Sequence, residues 1–273
     1  MSVYGLHSTG VRETDEIEFE AVTGRYIVKG AVVRVNDSVK TYYDAYWSSR
    51  GFRPTQQKTD LFARLFEATI PVGAHCLDVG CGDGSMAGIW LASHGRNYVG
   101  VDISAHGVDA ARASGLDARG IEDAASLPFS DSTFEAVVCI EVLEHLFLPH
   151  HAAAEMRRVL RPGGLLVATT PNVAYWRRRH ELLRGQFNPF GDDRSLSEPW
   201  RDPHIRFFTP ATLQSMLRSV GYTEIRVGGH GGTLTRIVGN REWDPVTRPG
   251  GMKQHERLMA EILGGRLHAL ARA

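Results

Sequence analysis

At 273 residues, the chain is long enough for one large domain with additional segments. Its 31 lysines and arginines balance 31 aspartates and glutamates, so it lacks the overall positive charge that would hold a nucleic-acid backbone. It also lacks an apolar run of 18 residues, so no membrane span is predicted. This composition is expected of an ordinary soluble enzyme and argues against nucleic acid as a partner.

The three cysteines, Cys76, Cys81 and Cys139, indicate where the protein is expected to reside. They lie at predicted strand ends or in a glycine-rich turn, and they do not have C-x-x-C spacing. Reduced thiols are therefore expected, as in a cytoplasmic protein. The N-terminal residues are acidic and lack the basic start and apolar middle of a signal peptide.

Residues 1–54 are expected to form an N-terminal extension. Residues 1–24 are predicted to be loosely ordered, whereas the apolar run at 25–35 predicts a short hairpin. Four aromatic residues lie close together between positions 41 and 47. An amphipathic helix is predicted for residues 59–68, shortly before the next strand.

The glycine-rich turn after residues 76–79 is the most informative feature of the sequence. These apolar residues predict a buried strand, and glycines then recur at alternate positions, Gly80, Gly82 and Gly84. Because glycine has no Cβ, this backbone can turn sharply and approach a ligand closely. After a predicted helix, Asp102 ends the next apolar run, 22 residues beyond Gly80. This is the arrangement of a nucleoside-binding βαβ unit, in which the acid accepts hydrogen bonds from ribose hydroxyls.

The acids beside this turn indicate which nucleoside is bound. Dinucleotide enzymes use G-x-G-x-x-G, whereas this turn is G-x-G-x-G with Asp78 before it and Asp83 inside it. Carboxylates here would repel a pyrophosphate but would suit the ammonium group of an amino-acid-bearing nucleoside. The turn resembles motif I of the class I S-adenosylmethionine-dependent methyltransferases. A tight turn without a ligand and the turn of a nicotinamide-dependent oxidoreductase are the weaker alternatives.

Later segments are similar to the same family. In the loop at 123–129, the resemblance assigns adenine contacts to Asp123 and to the backbone of Ala124. The run at 134–140 predicts the fourth strand of the domain. Arg161–Gly164 predicts a helix end and a turn before the next strand.

The resemblance spans residues 61–227 and implies an α/β fold. This is the Rossmann-like class I methyltransferase fold, a mostly parallel central sheet with helices on both faces, with S-adenosylmethionine as the cofactor. Elements before motif I often fold over the cofactor in this family, so the aromatic residues at 41–47 would form a lid. The alternative is that these aromatic residues pack on the edge of the sheet. The residues expected to bind the cofactor are Asp78, Gly80, Gly82, Gly84, Asp102, Ile103, Asp123, Ala124 and Cys139.

Two glutamates and a histidine follow the predicted fourth strand. If this segment is helical, Glu141, Glu144 and His145 share one face, because they are three and four residues apart. Such a cluster is costly to leave without partners. A divalent cation (Mg²⁺, Mn²⁺, Fe²⁺, Co²⁺ or Zn²⁺) would stabilise it, since carboxylate and imidazole are ligands of these ions. His204 is the best candidate for a fourth ligand.

The E-x-x-E-H pattern with a later histidine resembles two groups of methyltransferases. One group is the small-RNA 3′-terminal 2′-O-methyltransferases, and the other is the O-methyltransferases of ubiquinone biosynthesis. The chain is also similar to a broad set of small-molecule methyltransferases. The features shared with that set are, in order, Pro171-Asn172, Trp176-Arg177, Leu182-Leu183-Arg184-Gly185 and the segment 204–208.

The expected catalytic residues are Glu144, His145 and His204. Methyl transfer from a sulfonium to oxygen requires an aligned acceptor that loses its proton. A bound metal would orient two adjacent hydroxyls of a sugar or catechol and lower their pKa. Many class I methyltransferases have no metal here, and in that alternative His145 or His204 would be the general base.

A methyltransferase domain is expected from 55 to 240, with an insert at 176–205 and a tail at 241–273. Residues 176–200 contain five arginines, which form either a basic substrate-covering face or an ordinary solvated helix face. The apolar spacing at 254–270 predicts an amphipathic helix in the tail. Such a helix would dock on the core or on the second subunit of a homodimer.

Together these features predict S-adenosylmethionine-dependent O-methylation of a small hydroxylated molecule, such as a sugar or a glycosylated or phenolic metabolite. Oxygen is favoured because a neutral amine needs less help in losing its proton. Two alternatives stay open. The first is methylation of an RNA 3′-terminal ribose, which shares the metal pattern but is disfavoured by the balanced charge. The second is a protein that binds S-adenosylmethionine without catalysis.

Overall fold

The computed structural model describes residues 17–20, 25–28, 31–49, 56–186, 204–230 and 266–273. Strands β1 (Ile17–Glu20), β2 (Arg25–Val28) and β3 (Ala31–Arg34) form a small antiparallel sheet, and helix α1 (Val35–Ser49) follows them. The pairing of β2 with β3 is the hairpin expected from the apolar run in this region. The expectation of loose order does not hold for the first of these strands, because β1 pairs with β2.

The main sheet has seven strands. They are β4 (His75–Val79), β5 (Asn97–Asp102), β6 (Ala118–Gly120), β7 (Phe134–Ile140), β8 (Leu160–Pro171), β9 (Thr223–His230) and β10 (Arg266–Arg272). They lie in the order β6-β5-β4-β7-β8-β10-β9. Neighbours from β6 to β8 are parallel, whereas β10 is antiparallel to both β8 and β9. This is the mostly parallel α/β sheet that the sequence predicts.

Helices cover both faces of this sheet. They are α2 (Gln56–Thr69), α3 (Gly88–Ser93), α4 (Ala105–Ala113), α5 (Pro149–Val159) and α7 (Pro210–Ser219), while α6 (Trp176–Leu183) follows β8 and contains no buried residue. Successive strand residues face opposite layers. Leu77 and Val79 pack with α5 and α7, whereas Cys76 packs with α2, α3 and α4. Within the described ranges, no helix combines the length and the apolar character that a bilayer crossing requires.

The last strand corrects the prediction for the C-terminal tail. The helix predicted for 254–270 does not extend over residues 266–270, which belong to β10; residues 254–265 lie outside the described residues. Leu267 to Ala271 are all buried, so β10 is an inner strand with both faces covered. A short apolar run of this kind cannot be told from a buried helix by its periodicity. The sheet therefore includes a segment beyond the domain boundary expected at 240.

The start of β8 differs from the predicted turn. Instead of separating two elements, Arg161–Gly164 lies inside β8 as an irregularity, since Leu160 pairs with Phe134 and Leu165 with Ala136. Glycine makes this irregularity possible, because Gly163 has a φ of +76°.

The carboxyl ends of β5, β4 and β7 lie side by side, because these three strands are parallel neighbours. In open α/β sheets, ligands bind at this edge. The residues that follow these strands are therefore the candidates for a functional site.

Candidate active site

The glycine-rich turn after β4 has the backbone that its sequence requires. Gly80, Gly82 and Gly84 have φ angles of +77°, +52° and +79°, a region that residues with a Cβ rarely adopt. The Gly80 N–H donates to the Val101 carbonyl oxygen at 2.8 Å. The turn is therefore fixed to the end of β5, where Asp102 lies.

Asp102 stabilises this turn from the side. Its Oδ2 accepts a hydrogen bond from the Gly82 N–H at 2.8 Å, and its Oδ1 accepts one from the Ser104 N–H at 2.8 Å. The residue is buried, and burial raises the pKa of its carboxyl, whereas these backbone hydrogen bonds act in the opposite direction. Asp102 thus lies beside the turn as expected, and its contact with a ribose stays a prediction.

The other two acids of the motif are engaged within the protein. Asp78 is buried, and the Tyr98 hydroxyl donates to its Oδ2 at 3.1 Å. Asp83 accepts a hydrogen bond from the Ser85 N–H at 3.0 Å, which closes a local turn. The contact of Asp78 with the ammonium group of a methyl donor stays a prediction.

Asp78 is expected to make the stability of the ligand-free protein depend on pH. Burial raises the pKa of its carboxyl from 3.8 to about 7, partly offset by the Tyr98 hydroxyl and reinforced by the charge of Asp102. The unfolded chain releases this proton at a lower pH than the folded protein does. Stability from this group is therefore complete below about pH 4 and is lost as the pH rises to about 7.

The substitution Asp78→Asn should remove this dependence. The amide oxygen can still accept the Tyr98 hydrogen bond, and no buried charge forms at high pH. We expect the variant to be more stable than the wild type by a few kcal/mol at about pH 8, with a smaller difference at about pH 5. Urea denaturation at several pH values measures this, and parallel profiles for the two proteins would contradict it.

The loop expected to bind adenine follows β6 at the same edge of the sheet. The Ile121 N–H donates to the Asp102 carbonyl oxygen at 2.9 Å, which places the loop beside the candidate ribose site. Asp123 accepts a hydrogen bond from the Ala125 N–H at 2.8 Å through Oδ1. Ala124 packs into the apolar core, so only its backbone is suited to a polar contact.

Ile103 and Cys139 complete the set expected to bind the cofactor. Ile103 directly follows Asp102 and is half-buried. Cys139 lies near the end of β7 with its side chain buried in the core. Burial raises the pKa of its thiol well above the usual range, and the charges of Glu144 and Asp78 act in the same direction. A contact of Cys139 with a ligand would therefore come from its backbone.

Helix α1 covers the glycine turn. The Trp47 indole lies so close to Gly82 that any Cβ there would clash with it. Nearly one turn earlier, Asp44 accepts a hydrogen bond from the Ser104 hydroxyl at 2.8 Å, at the N-terminus of α4. Of the two interpretations of the aromatic segment, these contacts favour the lid.

Glu141 departs from the predicted arrangement. The segment expected to be helical contains a single 3₁₀ turn, Leu143–His145, and Glu141 precedes it with a φ of +55°. The Glu141 carboxylate accepts hydrogen bonds from Arg266 Nε at 2.9 Å and from the Thr169 hydroxyl at 3.0 Å. The prediction of a shared helical face is wrong, because the left-handed backbone at Glu141 turns its side chain towards β8 and β10.

Glu144, His145 and His204 do come together. Each offers a possible ligand atom, and these atoms all lie within 4.8 Å of one another. Nε2 of His145 lies 3.9 Å from Oε1 of Glu144, and Nε2 of His204 lies 3.8 Å from the same oxygen. The two imidazole rings stack with their centroids 4.4 Å apart. Three of the four predicted ligands therefore form one cluster, without Glu141.

Backbone contacts bring the distant histidine to this cluster. The N–H groups of Ile205 and Arg206 both donate to the Glu144 carbonyl oxygen at 3.0 Å. The Arg206 guanidinium donates to the Phe147 carbonyl oxygen at 2.6 Å and lies over the Phe147 ring at 5.0 Å. These contacts hold the segment that begins at His204 against the 3₁₀ turn.

Glu144 is the most unusual member of the cluster. Its side chain is 0% exposed, and neither carboxylate oxygen has a hydrogen-bond partner of normal geometry in the part of the chain that the structure describes. Burial raises the pKa of Glu144 well above the usual range, and the charge of Glu141 adds to this, whereas the Thr170 hydroxyl and Arg266 act in the opposite direction. Since a buried unpaired carboxylate is costly, this position calls for a cation or a proton.

Two residues of this region, Arg266 and Tyr43, are not predicted from the sequence. Arg266 begins β10, whose apolar run is predicted as a helix, so no sequence signal places it beside Glu141. Tyr43 lies edge-on to His145, with ring centroids 5.8 Å apart. Its sequence signal is its place in the aromatic segment at 41–47, which predicts a lid but no polar contact.

In the described part of the basic insert, two arginines form ion pairs with an acid on the same helix. Arg177 and Arg178 lie on α6, and they form ion pairs with Glu181 at 3.0 and 2.8 Å. These contacts favour the interpretation of this arginine run as an ordinary helix face. Residues 187–203, which complete the insert, lie outside the described residues.

Comparisons with known proteins identify the family to which this chain belongs. A family model described as a methyltransferase domain matches residues 48–227. The chain is 29% identical over 265 residues to the 2-methyl-6-phytyl-1,4-hydroquinone methyltransferase of Synechocystis, covering 85% of this chain and 80% of that protein. It is 29% identical over 192 residues to O-methyltransferase resE of Aspergillus sclerotiorum, covering 64% of this chain and 72% of that protein.

A solved structure shows the same fold. The [4+2]-cyclase SpnF is 22% identical and aligns with a TM-score of 0.55, covering 87% of this chain and 96% of that one. At this identity the likeness concerns the fold alone. The family match is more specific, because it contains the glycine turn, Asp102, the 3₁₀ turn and most of β9. The chain therefore belongs to the methyltransferase-domain family and is an S-adenosylmethionine-dependent methyltransferase.

Proposed function

We propose that this protein transfers the methyl group of S-adenosylmethionine to a hydroxyl of a small molecule, with a phenol as the favoured acceptor. The position of Glu144, His145 and His204 carries the proposal. Val142 packs against Gly80 so closely that a Cβ on the glycine would clash with it. The cluster begins two residues later, so it adjoins the turn where the donor is expected to bind.

The chemistry of these side chains favours oxygen as the acceptor atom. During transfer, a bond forms between the acceptor oxygen and the methyl carbon, the carbon–sulfur bond breaks, and S-adenosylhomocysteine leaves. The hydroxyl proton must go to a base, and an imidazole is suited to take it near neutral pH. Because Oε1 of Glu144 lies within 4 Å of Nε2 of both histidines, its negative charge would stabilise the imidazolium that results.

The same three residues also fit a divalent cation. The buried Glu144 carboxylate, which has no hydrogen-bond partner among the described residues, and the two imidazoles form a donor set that suits Mn²⁺, Fe²⁺, Co²⁺ or Zn²⁺ and suits Mg²⁺ less well. When bound, such a cation lowers the pKa of a coordinated hydroxyl and orients two adjacent oxygens. Three protein ligands leave positions for oxygens of the acceptor, as in other catalytic metal sites.

The surroundings of the cluster favour an acceptor with an aromatic or apolar body. Phe147, Ile205 and Phe207 flank the two histidines along the chain and are 41%, 43% and 49% exposed. Exposed apolar groups beside a polar cluster are typical of small-molecule sites. The Synechocystis relative is named for a hydroquinone, which is a phenol with such a body.

Methyl transfer to a panel of acceptors tests this proposal. Purified protein is supplied with labelled S-adenosylmethionine and with 4-nitrocatechol, a simple phenol, a sugar diol or an aromatic amine. We expect transfer to a phenolic hydroxyl and little transfer to the amine. Donor binding without transfer to any hydroxyl would contradict the proposal and favour a binding protein, since the fold alone also serves a cyclase.

Metal removal is expected to reduce the transfer to 4-nitrocatechol. Treatment with a chelator followed by dialysis should lower the rate by a factor of roughly 10 or more, because the acceptor is then less acidic and less well oriented. Adding back Zn²⁺, Mn²⁺ or Co²⁺ should restore it. A rate that is the same before and after removal, in protein shown by elemental analysis to be metal-free, would assign proton transfer to an imidazole alone.

A further inference from the structure

Tyr43 has a buried hydroxyl without a hydrogen-bond partner among the described residues. Leaving a buried hydroxyl unpaired costs about 1–3 kcal/mol of stability. Native proteins satisfy most such groups, and an exception at a functional site often has a ligand as its partner. The neighbours of this hydroxyl indicate which ligand that is.

The Tyr43 side chain lies at the junction of the two halves of the site. Its ring contacts His145 edge-on, at an interplanar angle of 79°. The side chain therefore lies beside His145 on the acceptor side, while Trp47 and Asp44 of the same helix contact Gly82 and Ser104 on the donor side.

Helix α1 holds Tyr43 at this position. Tyr43 and Trp47 are four residues apart on α1 and share one face of the helix. Trp47 packs on Gly82, and Asp44 accepts the hydrogen bond from Ser104, so α1 is fixed in the turn that follows Tyr43. Trp47 thus covers the glycine turn, and the contact with His145 directs Tyr43 to the acceptor side.

We propose that the Tyr43 hydroxyl forms a hydrogen bond with the reacting oxygen of the bound methyl acceptor. This inference rests on the proposed function, because it takes the acceptor to be a hydroxyl bound beside His145. The role is one of positioning, since the hydrogen bond orients the oxygen towards the methyl group while the proton leaves to another base. The lid would thereby contribute to acceptor binding as well as cover the donor.

The substitution Tyr43→Phe tests this inference, because it keeps the ring and removes only the hydroxyl. With 4-nitrocatechol as the acceptor, we expect KM to rise about tenfold, as for the loss of one hydrogen bond. The affinity for S-adenosylhomocysteine, measured by calorimetry, should change less than about twofold, and thermal stability should stay the same or increase. Tyr42→Phe, at an exposed neighbouring position, serves as the control for the loss of a tyrosine hydroxyl and should change KM much less than Tyr43→Phe does.

Two results would overturn the inference. If Tyr43→Phe binds S-adenosylhomocysteine more weakly but has unchanged acceptor kinetics, the Tyr43 hydroxyl contacts the donor. If neither the affinity for S-adenosylhomocysteine nor the acceptor KM changes, the hydroxyl contacts neither ligand. Methyl transfer by the wild type tests the proposed function separately. If the wild type methylates another phenol but not 4-nitrocatechol, that phenol is used to compare the variants. If the wild type methylates no hydroxyl, the proposed function fails and this inference fails with it.

Discussion

Replacing Glu144 with glutamine is expected to reduce methyl transfer by a factor of roughly 100 or more while the protein stays folded. The neutral amide neither binds a divalent cation as a carboxylate does nor stabilises an adjacent imidazolium. Folding should tolerate the change, because the buried Glu144 carboxylate has no hydrogen-bond partner among the described residues. Transfer rate, metal content and urea denaturation of the purified variant measure the three parts of this prediction.

The matched control is Glu141→Gln, the same chemical change three residues earlier. Glu141 is paired with Arg266 and hydrogen-bonded to Thr169, outside the cluster around Glu144. If the proposed cation binds at Glu144, this variant should bind it as the wild type does, but it should lose about 1 kcal/mol of stability, since the ion pair is partly exposed to solvent. Loss of metal in Glu141→Gln with retention in Glu144→Gln would contradict the assignment of the site.

The donor half of the site is predictable because its requirements are local. The turn at 80–84 needs glycines at positions with positive φ, and the acid that supports it must end the neighbouring strand. Both requirements leave a pattern within about 25 residues of sequence, as such βαβ units do. The fold follows from the same elements, since consecutive strands and helices of this kind form a parallel sheet.

The acceptor half is less predictable because its contacts are remote in sequence. The backbone of Glu141 is left-handed, so its side chain points away from Glu144. The spacing of the two glutamates in the sequence does not reveal this conformation. Arg266 reaches Glu141 only because β10 inserts antiparallel between β8 and β9, and a short apolar run does not reveal that topology. Tyr43 reaches His145 from a helix before the domain core. In each case tertiary packing decides the contact.

Replacing Asp102 with asparagine is expected to weaken the binding of S-adenosylhomocysteine by a factor of roughly 100, because the carboxylate that we predict to accept from the ribose hydroxyls becomes an amide. The amide oxygen can accept from Gly82 or Ser104, but the amide N–H₂ then faces the other N–H donor. We therefore also expect a stability loss of about 1–3 kcal/mol from the unpaired donors. Calorimetric titration, at a temperature where circular dichroism shows the variant to be folded, measures the affinity.

A control and a ligand analogue separate these two effects. Asp109→Asn changes an exposed acid on α4 whose ion pair with Arg112 lies at the surface, so the affinity and stability of this variant should match those of the wild type. S-adenosylhomocysteine lacking the ribose 2′-hydroxyl should bind the wild type more weakly than the full compound. If Asp102 contacts this ribose, Asp102→Asn should bind the two compounds with nearly equal affinity, because the interaction is already lost. If both proteins prefer the full compound equally, Asp102 does not contact the ribose. Its role would then be to stabilise the glycine turn, and another group would bind the ribose.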